Sequence, residues 1–273
     1  MKKPFWRIIA LVGLCAMLVS AQAQPARPAP ADPPKVNQPL PFKAGEKLHY
    51  EVTFSKLIFG GTVGDVQLSV ANADHAAKDS KLTLKAELTS KGFFPKLFGI
   101  KVRDSYSSIV NAQDMGLTES HKSIEEGNNR REQKSLIDRE AGRVTFTERN
   151  LADKKAEPKI KEASSPTWIQ DILSATYFVR TQPLNEGDVI EIPISDAGEV
   201  YHIEVIVEKR EEIKVEAGKF KAIRLNAKIF DGRFIRRSGE MLLWMSDDTR
   251  RIPVRARVKT SGATVTVDLK RIS

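Results

Sequence analysis

The sequence predicts a mainly β protein: one antiparallel sandwich, roll or barrel over residues 42–273, with a single amphipathic helix near 167–181. Three observations predict it. Apolar residues recur at every second position in run after run, the signature of half-buried strands. Glycine- and Asp-bearing turns separate these runs at short intervals. Only "TWIQDILSATYFVRTQ" carries the longer period of a helix.

The first strand reads "GEKLHYEVTFSKL", with Leu48, Tyr50, Val52 and Phe54 on one side and His49, Glu51, Thr53 and Ser55 on the other. "IFGGTVGDVQLSV" turns at Gly60 and Gly61 and resumes with Val66, Leu68 and Val70. "SKLTLKAELTSKG" repeats the pattern with Leu82, Leu84, Ala86 and Leu88. Further strands are expected at 101–110, 116–124, 130–138 and 143–149. The charged, proline-bounded "LADKKAEPKIKEASSP" is expected to be an exposed loop.

In the helix, Thr167 and Gln170 have capping-box spacing, and Asp171 and Arg180 suit the two ends of the helix dipole. Trp168, Ile172, Ala175 and Val179 form a stripe, widened by Ile169, Leu173 and Thr176, that is expected to cover an apolar sheet face. Strands then return at 188–194, 200–209, 211–216, 219–230, 233–246, 250–260 and 263–271, with a tight turn at Gly218.

Upstream of the β region lie two segments of different character. Residues 1–23 have the anatomy of a secretory signal: Lys2, Lys3 and Arg7, an apolar run Ile8–Val19, then Ala21-Gln22-Ala23. The run falls short of the ~20 residues that a transmembrane helix needs. A retained anchor is the rival reading. The expected location is the periplasm, with cleavage near Ala23–Gln24 and no transmembrane span afterwards. Residues 24–41 hold seven prolines, which fix φ and remove donors, so a disordered spacer is expected. Removing a leader with three basic residues and no acid takes the formal charge from +9 to +6. An exported chain of that charge meets anionic lipid, lipopolysaccharide or another envelope protein rather than nucleic acid. Cys15 is the only cysteine, so a mature chain has no disulfide framework and no thiolate metal site.

Several ordered landmarks resemble a family: "GEKLHYEV", "VRDSYSSIVN", "SIEEGNNRREQKSLIDREAGRVTF", "QDILSATYFVR", "VEAGKFKAIRL" and "LLWMSDDTRRIPVRARV". The chain is similar, from about Gly45 to Leu269, to exported bacterial proteins of domain-of-unknown-function family 3108. The resemblance implies a spiral β-roll of long, curved antiparallel strands around one apolar core. It brings no established activity and no site residues.

No catalytic motif stands out. His49, His75, His121 and His202 show no metal-ligand spacing, and no serine sits in a nucleophile elbow. Glu125-Glu126 and Glu211-Glu212 are adjacent in sequence, and neighbours on a strand face opposite ways. Asp247-Asp248 reads as a turn. No cofactor or metal is expected, and no enzyme.

Two stretches remain as candidate ligand sites. In "KGFFPKLFGIK", Phe93, Phe94 and Phe98 crowd around Pro95 between lysines, either as an apolar lip or folded back on the core. In "TRRIPVRARVKT", Arg251, Arg255 and Arg257 share a face with Pro253 and Lys259, while Ile252, Val254, Ala256 and Val258 share the other. That basic face either grips an anionic ligand or is paired across strands by acids such as Glu204, Glu208 and Asp268. Three readings of function stay open: a non-enzymatic envelope protein that binds an amphiphile or envelope polymer, an assembly factor that binds another envelope protein, and a hydrolase with an unrecognised site.

Overall fold

The computed structural model describes residues 35–56, 59–71, 81–93, 99, 101–153, 155–230, 232, 235 and 238–273. The signal segment, the spacer up to residue 34, His75, Phe94 and Phe98 lie outside the described residues.

Among the described residues, fourteen strands form one antiparallel sheet. They are β1 Lys47–Lys56, β2 Phe59–Ala71, β3 Lys81–Ser90, β4 Arg103–Asn111, β5 Leu117–Glu126, β6 Asn129–Asp138, β7 Arg143–Asn150 and β8 Lys159–Ser164. After the helix α1 (Ile172–Arg180) come β9 Val189–Asp196, β10 Glu199–Val215, β11 Gly218–Ala227, β12 Gly239–Ser246, β13 Pro253–Thr260 and β14 Ala263–Ile272. The order is β8-β7-β6-β5-β4-β3-β2-β1-β14-β13-β12-β11-β10-β9. Every neighbour is also a neighbour in sequence except β1 and β14, which join the two ends of the chain in mid-sheet. The sheet is curved and unclosed, and its edges, β8 and β9, are joined through α1. Register shifts at His49/Tyr50, Val52/Thr53, Ile109/Val110, Val207/Lys209 and Trp244/Met245 bend the strands.

The alternation read from β1 holds throughout: Leu48, Tyr50, Val52 and Phe54 are buried. The main core collects around α1. Trp168, Ile169, Tyr177 and Phe178 meet Leu82, Leu84, Val110, Leu117, Val144, Ile192, Ile194, Val205 and Leu225 from both arms of the sheet. The helix is therefore a plug, but its buried face is Ser174, Tyr177, Phe178, Val179 and Arg180; of the predicted stripe, Ile172, Leu173, Ala175 and Thr176 are half-buried, and Trp168 and Ile169 are buried just before the helix begins.

Four expectations are corrected. The helix begins at Ile172, not 167. Asp171 is its N-cap and exchanges hydrogen bonds with Ser174 in the capping box expected of Thr167 and Gln170. Gln170 is held extended by β9, donating its N–H to Pro193 O at 2.9 Å and accepting from Ser195 N at 2.7 Å. Next, the segment read as an exposed loop contains β8, which pairs with β7 from Lys159 to Ser164. As an edge strand it is exposed on nearly all sides, so no apolar alternation marks it. The spacer expected to reach residue 41 ends earlier: Val36 and Phe42 are buried, Asn37 N donates to Thr181 O, and Gln38 Nε2 donates to Ala112 O. Finally, β13 begins at Pro253, and Arg251 lies before it in a turn at φ 48°. Asp248 Oδ1 shapes that turn by accepting from the N–H groups of Arg250 and Arg251.

Candidate functional site

In-register partners on neighbouring strands point to the same side of a sheet, so the pairings trace rows across it. On the side facing the core, one row reads Leu84, Ser108, Ser120, Ser135, Phe146 and Lys161 across β3–β8. The next reads Ala86, Tyr106, Lys122, Gln133, Glu148 and Lys159. Beyond it lie Asp104, Arg131 and Glu126, opposite Leu88, Ile124 and Asn129 respectively. The inner wall thus passes from apolar, under the helix, to polar at one end of the roll. Asp171 marks the border: its Oδ2 accepts from Ser108 Oγ at 2.6 Å.

The polar end holds more carboxylate than it neutralises. Asp104 is 1% exposed, Glu126 7% and Gln133 4%. Arg131 stands between Glu126 and Glu148 but touches neither closely, with Nη2 4.0 Å from Glu126 Oε2 and Nη1 3.8 Å from Glu148 Oε2. Both distances exceed a hydrogen bond. Among the described residues, the Nε of Arg131 and the Oε1 of Gln133 are buried without a hydrogen-bond partner. Gln133 Nε2 donates to Glu148 Oε2 at 2.7 Å.

Burial pushes the Asp104 carboxyl up to about 6. The nearby Glu126 charge adds to this, against the hydrogen bonds from Glu125 N and Tyr106 Oη. Burial also raises Glu126, against the Arg131 charge and a hydrogen bond with the Asn129 side chain, which only partly oppose it. Around Glu148, burial is outweighed by the hydrogen bonds of Gln133 and Lys159 and by the Lys159 and Arg131 charges, so its carboxyl is held low.

The other arm of the roll closes over this wall. The β9–β10 turn rests on it through two ion pairs, Lys122 Nζ to Asp196 Oδ1 at 2.6 Å and Lys161 Nζ to Glu199 Oε1 at 3.3 Å. Because the sheet is unclosed, this seam is a contact of side chains rather than a ladder of backbone hydrogen bonds.

The sequence-predicted site residues are not brought together here. Phe93 is 69% exposed, at the start of a stretch whose next five residues lie outside the described ones. Each arginine of the basic stripe has a partner. Arg251 Nη1 reaches Asp247 Oδ1 at 3.0 Å, Arg255 binds Asp268 through two nitrogens, with Nη2 at 2.8 Å from Oδ2, and Arg257 lies 5.0 Å over the Trp244 ring. Trp244 itself donates to Glu211 Oε1 at 2.8 Å. Of the acids named as partners for the stripe, Asp268 is engaged, whereas Glu208 binds Arg224 and Asn226.

Asp104, Glu126, Arg131 and Gln133 escape a reading of the sequence because they meet across strands. The one sequence signal is that β5 and β6 are polar in both phases of their alternation. Among the described residues no three His, Cys, Asp or Glu are grouped to hold a metal ion, and no helix is long and apolar enough to cross a membrane. A surface depression of about 270 Å³ lies between the end of β11 and the start of β12, lined by Asn226, Lys228, Phe230 and Glu240. It holds none of the polar wall.

Residues 49–270 match the family described as "Protein of unknown function (DUF3108)". No curated protein matches the chain. Among solved structures, the fold is similar to that of a beta-barrel-like protein of the domain of unknown function DUF1849 from Brucella abortus. The TM-score is 0.55 at 9% identity, covering 84% of this chain and 96% of that one. Two others align less well. One is from Bacteroides fragilis, described as exported with a YmcC-like fold (TM-score 0.37, 9% identity, 86% and 98% covered). The other is a Parabacteroides distasonis protein described as a lipoprotein (TM-score 0.33, 8% identity, 86% and 97% covered).

Proposed function

We propose, for a chain that belongs to the DUF3108 family of proteins of unknown function, that it is a non-enzymatic exported protein of the cell envelope which binds a polyhydroxylated envelope polymer at the polar end of its inner wall. Export rests on the signal anatomy of residues 1–23. Binding rests on one observation: a buried donor, Arg131 Nε, and a buried acceptor, Gln133 Oε1, stand unpartnered among the described residues on neighbouring rows of the same wall. Leaving such groups unpaired costs about 1–3 kcal/mol each. A ligand hydroxyl both accepts and donates, so neighbouring hydroxyls satisfy the two together. Tyr106 and the carboxylates add further hydroxyl partners. The excess of acid at this end disfavours an anionic headgroup there. The non-enzymatic part of the reading rests on the absence of a recognised catalytic motif in the sequence.

A second reading, docking of another envelope protein along the free edge of β8, draws on Ile160, 65% exposed on that strand. Hydrogen exchange of the mature protein, with and without soluble envelope polysaccharide, separates the two. Protection of β4–β6 amides near Asp104, Tyr106 and Gln133 is expected. Protection confined to β8 upon adding envelope proteins would favour the second reading, and no protection by polysaccharide overturns the first.

A further inference from the structure

The polar end of the wall carries a specific imbalance. Facing it are Asp104 and Tyr106 from β4, Lys122 and Glu126 from β5, Arg131 from β6, Glu148 from β7, Lys159 from β8 and Asp196 from the end of β9. Lys122 is engaged by Asp196 at 2.6 Å. Lys159, on the rim with its side chain 63% exposed, is engaged by Glu148 at 3.1 Å. What remains is two buried carboxyls, Asp104 and Glu126, facing one guanidinium that stands 4.0 Å from Glu126 and is shared with Glu148.

Resting on the reading above, we infer that the polymer recognised here carries a protonated primary amine on its hydroxylated framework, as an amino sugar does, and that Asp104 and Glu126 receive the ammonium while Gln133 Oε1 and Arg131 Nε take neighbouring hydroxyls. Two independent features carry this. One is the pair of buried acids sharing a single guanidinium, which leaves one negative charge that a cation neutralises and a neutral sugar does not. The other is Gln133, 4% exposed, whose amide is fixed to Glu148 through Nε2 and whose Oε1 is left without a partner among the described residues. A bare metal ion fits less well, because among the described residues no three acids or histidines are grouped around one point. An ammonium needs no such convergence, since its three N–H bonds address separate acceptors.

The wall also ties binding to protons. Asp104 is held up at about 6 by burial, with Glu126 adding to it. An ammonium seated there competes with the proton that Asp104 takes up as the pH falls. Affinity is therefore highest above about 6 and declines as the pH drops through that value.

Three small probes test this: 1-amino-1-deoxysorbitol, which has both groups and stays protonated; sorbitol, which has only hydroxyls; and butylamine, which has only the amine. Dissociation constants are measured by NMR shift titration of the mature protein. The amino-sorbitol is expected to bind at least about tenfold more tightly than sorbitol near neutral pH, as removing one partner of a buried charge contact implies. Its affinity is expected to fall on acidification to about pH 5. Glu126→Gln, which keeps the shape of the side chain, should abolish the preference, and Asp104→Asn should abolish the pH dependence. The melting curve of Glu126→Gln is recorded alongside and should be unchanged or raised, because the variant removes a buried ion. Equal affinity for amino-sorbitol and sorbitol overturns the amine inference and leaves the polymer reading standing. Binding by neither overturns both. A preference that survives in Glu126→Gln, or butylamine binding as tightly as amino-sorbitol, also overturns the inference.

Discussion

Arg180 and Glu46, 134 residues apart in the chain, form a two-point ion pair with nitrogen–oxygen distances of 2.6 and 2.9 Å, and the arginine side chain is fully buried. Its guanidinium lies over Phe42 and Tyr177 at 4.8 and 5.1 Å and donates to the carbonyls of Pro41 and Arg250. The pair ties the entry of the chain, the end of α1 and the turn before β13 to one point. Glu46→Gln strands a buried cation, and a loss of about 3–5 kcal/mol in urea unfolding is expected. Glu46→Leu combined with Arg180→Met should cost less than Glu46→Gln alone, because neither charge is then stranded.

Much of the fold is legible in the sequence. Leu48 to Phe54 alternate because β1 has one buried face, and Trp168 marks the plug because large apolar side chains have to be covered, whereas Tyr177 and Phe178, outside the predicted stripe, are buried with it. Arg180 sits at a helix C-terminus, so its sequence context offers a dipole explanation and hides its partner, which lies far away in the chain. The polar wall is illegible for the same reason. Glu125-Glu126 is no pair, since Glu125 points outward, yet Glu126 shares the wall with Asp104 on another strand. Register carries that information, and a single sequence does not specify register between strands this polar.

Asp104 sets a pH dependence of stability. Its folded value of about 6 lies above the ordinary 3.8, so the folded chain holds the proton more tightly than the unfolded chain. Stability is therefore greatest below the unfolded value and declines as the pH rises through about 6. The size is about 3 kcal/mol between the two limits. Asp104→Asn should flatten that part of the curve. Urea unfolding of both proteins between about pH 4 and 8 checks it, and parallel curves would contradict the assignment.

Arg255 and Arg257 are each engaged within the sheet. Arg255 is partnered by Asp268 on β14, and Arg257 by the Trp244 ring on β12. The double change Arg255→Gln, Arg257→Gln should lower stability by about 1–2 kcal/mol in total, as partly exposed ion pairs and cation–ring contacts do. Sedimentation with anionic lipid vesicles at low salt should match the wild type. Weaker sedimentation of the double variant would restore the stripe as a grip.

Gly198 controls the seam. It follows Ala197 in the two-residue β9–β10 turn, with φ values of 49° and 79°, the left-handed pair that right-twisted hairpins favour. A Cβ at Gly198 would stand 2.7 Å from the Cβ of Lys161 and 3.1 Å from that of Phe146, so the turn lies flat on the β7–β8 end of the inner wall. Gly198→Ala adds backbone strain of about 1–3 kcal/mol and pushes the turn off its seat. That displacement breaks the Lys122–Asp196 and Lys161–Glu199 ion pairs, which bridge the two arms, while the ladders within each arm are untouched. Hydrogen exchange should therefore quicken first at Ser195–Tyr201 and next on the wall, at Lys122 and Gln133, with the β1–β14 ladder unchanged. A uniform rise across all strands would show instead that the turn is part of the cooperative core, and the polar wall would then have to be reached from elsewhere than the seam.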